Sequence, residues 1–204
     1  MEKTALHKTP IILVPGMALD YPLLIWKFIL ENAGFNVEIA ELYHLVALKT
    51  IDEQARMVSA KVNATLRKYG SPKCHLIGYS LGTVTLLYYI QKLGGKNKVD
   101  KCICVVPPFS GIRKYLVLTA PAGILIKSLL DIFPDSEFLK EMKHGKTGGV
   151  EVSVICGAND WLCVPGTDFP FVKSIFIADG GHSAVYSGLN KKAREAVLKI
   201  LERG

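Results

Sequence analysis

The sequence is short of cysteine, of long apolar runs and of any basic–aromatic interleaving, and each shortage excludes something. Five cysteines (Cys74, Cys102, Cys104, Cys156, Cys163) are an odd number, and most stand on apolar stretches. They read as small buried thiols of a reducing compartment, not as a disulfide framework. None is paired with another Cys or His at the spacing of a zinc loop, so no metal site is expected. The longest apolar stretch, Tyr115 to Ile126, is broken by Pro121 and Gly123 and stops at Lys127, too short to cross a bilayer. Met1 to Lys8 holds no apolar core ahead of the first strand, so no signal peptide is expected. The 25 Lys and Arg against 18 Asp and Glu leave a net charge of +7, but the basic residues are scattered. No nucleic-acid groove is expected. The excess suits an anionic substrate or a negatively charged lipid surface, or is simply solvated.

What is present is a strand–helix alternation. With 204 residues, half of them apolar, one domain over residues 1–204 is expected. Ile11 to Val14 reads as a buried strand ended by Pro15-Gly16, and Tyr21 to Asn32 as a helix closed by Gly34. Phe35 to Ala40 alternates as a strand near the sheet edge. Thr50 and Glu53 form a capping-box pattern ahead of a helix that Gly70 ends. Further strands are expected at Cys74–Ile77, Lys101–Val106, Val150–Ile155 and Lys173–Ile177. A last helix should carry Leu189, Ala193, Ala196, Val197, Ile200 and Leu201 on one face. This pattern predicts an α/β fold with a mostly parallel six-stranded sheet, order 2-1-3-4-5-6, covered on both faces. About forty residues without a strand separate the fourth and fifth strands. Residues 108–149 therefore read as a cap or pocket-wall insertion, or as helix packed on the sheet, with a short helix near Asp135 to Lys140.

Gly78-Tyr79-Ser80-Leu81-Gly82 carries the chemistry. G-x-S-x-G between a strand and a helix places a serine on a tight turn at a helix N-terminus. A serine hydroxyl needs a base and the base an orienting acid, expected in the order Ser, acid, His. Asp160 follows the fifth strand and His182 stands in a glycine-rich turn after the sixth; parallel strands bring both loops to the edge holding Ser80. Asp168 and Asp179 are alternatives for the acid. His75 reads as a packed core residue, and His7, His44 and His144 have no motif around them. An oxyanion needs two backbone donors, which fall at Met17 and Leu81 with their side chains free to line a pocket.

Val14-Pro15-Gly16-Met17, the pentapeptide around Ser80, Asp160 and His182 resemble the α/β-hydrolase superfamily. Leu86 to Ile90, Leu93-Gly94-Gly95 and Lys98-Val99 resemble the small bacterial lipases, minimal members without a large lid; those lipases have His-Gly where this chain has Pro15-Gly16. The resemblance implies a three-layer α/β/α hydrolase fold and cleavage of carboxylic esters, lipid esters among them, by a Ser-His-Asp triad. It implies no metal and no organic cofactor, a small-molecule ester as partner, and contact with a membrane surface as an option. Without a visible export signal, a cytoplasmic esterase is expected. The same triad also serves thioesterases and acyltransferases, and a non-catalytic binding protein on this fold is a further alternative.

Overall fold

A computed structural model describes residues 9–17, 21–42, 49–112, 131–134, 136–163 and 169–203. Strands β1 (Ile11–Val14), β2 (Val37–Ile39), β3 (Cys74–Tyr79), β4 (Val99–Val105), β5 (Glu151–Gly157) and β6 (Val172–Ala178) form one sheet. Its order is β2-β1-β3-β4-β5-β6 and every pairing is parallel. The order follows from the alternation, because each crossover must return over one face of the sheet.

The helices are α1 (Tyr21–Asn32), α2 (Ile51–Tyr69), α3 (Leu81–Lys92), α4 (Glu137–His144), α5 (His182–Tyr186) and α6 (Lys191–Glu202), with a 3-10 turn at Gly95–Asn97. The capping box at Thr50 and Glu53 is formed, and Gly70 ends α2 in the left-handed region. Alternate residues of the buried strands feed two cores. Ile12, Leu76, Cys104 and Val154 pack with α2 and α3 on one face. Ile11, Ile77, Ile103 and Ile155 pack with Trp26 of α1 and Val197 of α6 on the other. Three layers result.

Three expectations change. The edge strand β2 is shorter than Phe35–Ala40. Leu189 lies outside the last helix and is exposed, because Asn190 caps α6 by accepting from the Ala193 N–H. His182 is the first residue of α5 and not a turn residue. The short helix expected near Asp135 is α4, capped by Ser136, whose hydroxyl accepts from the Leu139 N–H. Of the 108–149 segment, residues 113–130 and 135 lie outside the described residues, Tyr115 to Ile126 among them.

Candidate active site

Because the sheet is parallel, the ends of β1, β3, β5 and β6 open on one edge, and all candidate residues follow those ends. Ser80 joins β3 to α3 with φ 48° and ψ −123°, backbone that a non-glycine residue adopts only under strain. The neighbouring chain holds it there. The Ser80 N–H donates to the Val105 carbonyl at 2.9 Å, and the Ser80 carbonyl accepts from the Thr83 hydroxyl at 2.6 Å. At Gly82 a Cβ would stand 2.3 Å from the Pro15 carbonyl oxygen, so only glycine lets α3 start this close to β1. At Gly16 a Cβ would meet the Tyr79 carbonyl oxygen at 2.8 Å and Ser80 Cβ at 2.9 Å. The two glycines bring the backbone after β1 against the serine. Val106, the residue after β4 on the same edge, also has positive φ, 46°.

The structure brings Ser80, His182 and Asp160 together. His182 Nε2 is 3.1 Å from Ser80 Oγ, and His182 Nδ1 is 2.9 Å from Asp160 Oδ2. The other carboxylate oxygen, Oδ1, accepts the backbone N–H groups of Leu162 at 2.9 Å and Cys163 at 3.0 Å. The side chains of His182 and Asp160 are buried, while Ser80 is half-buried. Burial alone would raise the Asp160 pKa, but hydrogen bonds from His182, Cys163 and Leu162 outweigh it and hold the carboxyl below its ordinary value. Helix α5, which carries His182, is pinned at its far end: the Tyr186 carbonyl accepts from Trp26 Nε1 at 3.0 Å, and the Tyr186 ring packs edge-on against Tyr79 at 5.2 Å.

Among the alternatives, Asp179 instead pairs with Lys192 at 2.8 Å. Asp168, His7 and His44 lie outside the described residues. His144 ends α4 and is exposed. His75 is buried in β3 as expected, and burial pushes its pKa down to about 4. Leu81 is the first residue of α3, so its N–H has no intrahelical acceptor. Its side chain is buried in the core, while Met17 is exposed beside the serine turn. A cavity of about 450 Å³ at the β2 edge, between Lys27, Glu38, Lys61 and Tyr69, shares no residue with this site.

Cys163 was missed as a neighbour of the site. Asp160 Oδ1 turns the chain so that Cys163 returns to the site, and a bridge between Ile112 and Cys163 holds it there. The only available signal was the Asn159-Asp160 turn itself, since such an Asp accepts from N–H groups two and three residues on. Asp160, Cys163 and His182 each place a donor atom within 4.8 Å of the others. Burial and the Asp160 charge push the Cys163 pKa well up, a hydrogen bond with Ser80 offsetting part of it; burial and the same charge push Cys156 up to about 11. Both are thiols at neutral pH. All five cysteines are buried and free.

No protein-family model matches the chain, and no curated protein does. Solved structures do. The mature form of the Bacillus licheniformis lipase BlEst2 superposes with a TM-score of 0.73 at 16% identity, covering 96% of this chain and 93% of the lipase. A structure from work on the metagenome-derived lipolytic enzymes LipS and LipT gives 0.74 at 10% identity, covering 97% and 94%. Aspergillus fumigatus lipase B gives 0.71 at 16% identity over 96% of this chain, which spans about half, 53%, of that lipase. The chain has the α/β-hydrolase fold, and its structural neighbours are lipases and esterases. No helix among the described residues is long and apolar enough to cross a membrane.

Proposed function

We propose that the protein hydrolyses carboxylic esters through an acyl-enzyme on Ser80. The Ser80–His182–Asp160 relay, with contacts of 3.1 and 2.9 Å, is the observation that carries this reading. Ser80 Oγ attacks the ester carbonyl while His182 Nε2 takes the hydroxyl proton. Asp160 keeps the imidazole proton on Nδ1 and stabilises the imidazolium. The oxyanion is met by the N–H groups of Leu81 and Met17, with Gly16 allowing the second to come close. His182 then gives the proton to the departing alcohol and takes one from water; the hydroxide so formed attacks the acyl carbon, and His182 returns the proton to Ser80 Oγ as the acid leaves.

A lipase-like preference for apolar acyl chains is supported by the lipase and esterase neighbours and by the apolar segment from Tyr115 to Ile126. The test is p-nitrophenyl ester hydrolysis by the purified chain and by Ser80→Ala. Hydrolysis that disappears in a folded Ser80→Ala protein supports the reading; substantial residual turnover rejects it.

A further inference from the structure

We propose that Asp160, Cys163 and His182 together form a reversible, inhibitory site for a borderline-soft divalent cation of the zinc type. The inhibition rests on the reading of Ser80, His182 and Asp160 given above; the binding itself rests on the donor geometry alone. The three donor atoms, a carboxylate oxygen, a thiol sulfur and a ring nitrogen, lie within 4.8 Å of one another. Tetrahedral zinc takes sulfur at about 2.3 Å and nitrogen or oxygen at about 2.0–2.2 Å, which sets neighbouring donors about 3.5 Å apart. Asp160 Oδ2 and His182 Nδ1 already lie closer than that, at 2.9 Å, so they part slightly as the ion enters.

Two features make this more than an accidental cluster. The three side chains come from two loops whose relative placement is fixed, Asp160 Oδ2 against His182 Nδ1 and Asp160 Oδ1 against the Cys163 backbone. The sulfur is held in place, because Cys163 is buried and bridged to Ile112. The half-buried Ser80 hydroxyl, 3.1 Å from His182 Nε2, or a water completes the fourth position. A thiol, an imidazole and one carboxylate favour zinc or cobalt over the oxygen-seeking magnesium and calcium.

On binding, the Cys163 S–H and His182 Nδ1–H bonds break and each electron pair goes to a bond with the metal; the thiol proton leaves to solvent and the ring proton moves to Nε2. No oxidant or reductant takes part. With a dication on the imidazole or beside it, His182 no longer accepts the Ser80 proton, so acyl-enzyme formation stops until the metal is removed.

The experiment uses the full chain, first stripped with a chelator. Cobalt(II) is titrated while absorption is followed, and ester hydrolysis is measured at buffered free zinc. The expected result is about one cobalt per chain, with thiolate-to-cobalt charge transfer and the strong visible bands of a tetrahedral ion. Zinc should displace the cobalt and inhibit hydrolysis, and chelator should restore it. Cys163→Ala and Cys163→Ser should both lose the charge-transfer band and weaken zinc inhibition, relative to each variant's own metal-free rate, by at least about tenfold, since even loss of a ligand's supporting partner costs 10–100-fold. Cys156→Ser should keep the band. Absence of the band in the native chain, or its survival in both Cys163 variants, overturns the site. A band in a chain that hydrolyses no ester leaves the site standing and removes the functional reading instead.

Discussion

Replacing Asp160 by Asn tests how the site fixes its histidine, and the structure sets the size of the effect. The carboxamide has one acceptor and one donor end. Oδ1 of Asp160 receives two backbone N–H groups, from Leu162 and Cys163, so the Asn oxygen belongs there. Turning the amide round would aim its NH2 at two buried donors, at about 1–3 kcal/mol for each one left unsatisfied, or about 2–6 kcal/mol together. The NH2 therefore faces His182 Nδ1, which must accept, and the ring proton moves to Nε2. That nitrogen then points a proton at Ser80 Oγ and has no lone pair to take one. The wrong tautomer is worth about 10⁴ in kcat, or about 5.4 kcal/mol, inside the range set by the two backbone bonds. Initial rates on p-nitrophenyl butyrate, with urea unfolding to confirm the fold and nitrogen NMR to read the tautomer, provide the assay. A folded Asp160→Asn protein within tenfold of the native rate would refute the reasoning. Asp168→Asn should be far milder, and the reverse ranking would move the role to Asp168.

Three further outcomes are expected, the second from the sequence alone. Gly82→Ala should destabilise by about 1–3 kcal/mol in urea unfolding and slow hydrolysis, because its Cβ would press on the Pro15 carbonyl; an unchanged midpoint and rate would deny the close approach. Across a series of esters, kcat/KM should rise at least about tenfold from acetyl to medium chains, each buried methylene contributing about 0.8 kcal/mol, and Leu118→Asp or Leu125→Asp should flatten the rise; best turnover of acetyl esters, with variants that only unfold, would make the segment core. His75, pushed down to about 4 by burial, takes up its proton first in the unfolded chain, so folding stability should fall between pH 6.5 and 4 by on the order of 3 kcal/mol, and His75→Gln should lose that share of the acid sensitivity.

Most of the sheet was legible because its residues obey local rules. Ile11 to Val14 and Cys74 to Ile77 are buried on both faces and read as uniform apolar runs, and glycine and capping residues mark the turns. The serine turn was legible because Gly82 lies so close to the Pro15 carbonyl that only glycine is permitted there. Leu189 misled because an apolar residue ahead of an amphipathic helix matches its period, while the Asn190 cap decides where the helix begins. Cys163 was illegible for a different reason. Its place beside His182 depends on Asp160 gathering two backbone N–H groups and on a bridge to Ile112, some fifty residues away, which no local pattern encodes.

The most direct test of the central claim is covalent capture of the nucleophile. The folded chain, treated with a fluorophosphonate and analysed by intact mass and peptide mapping, should gain one adduct per chain on Ser80. His182→Ala should slow that labelling sharply, and a competing ester should protect against it. An adduct on another residue, or none on Ser80 in a folded protein, would contradict the account.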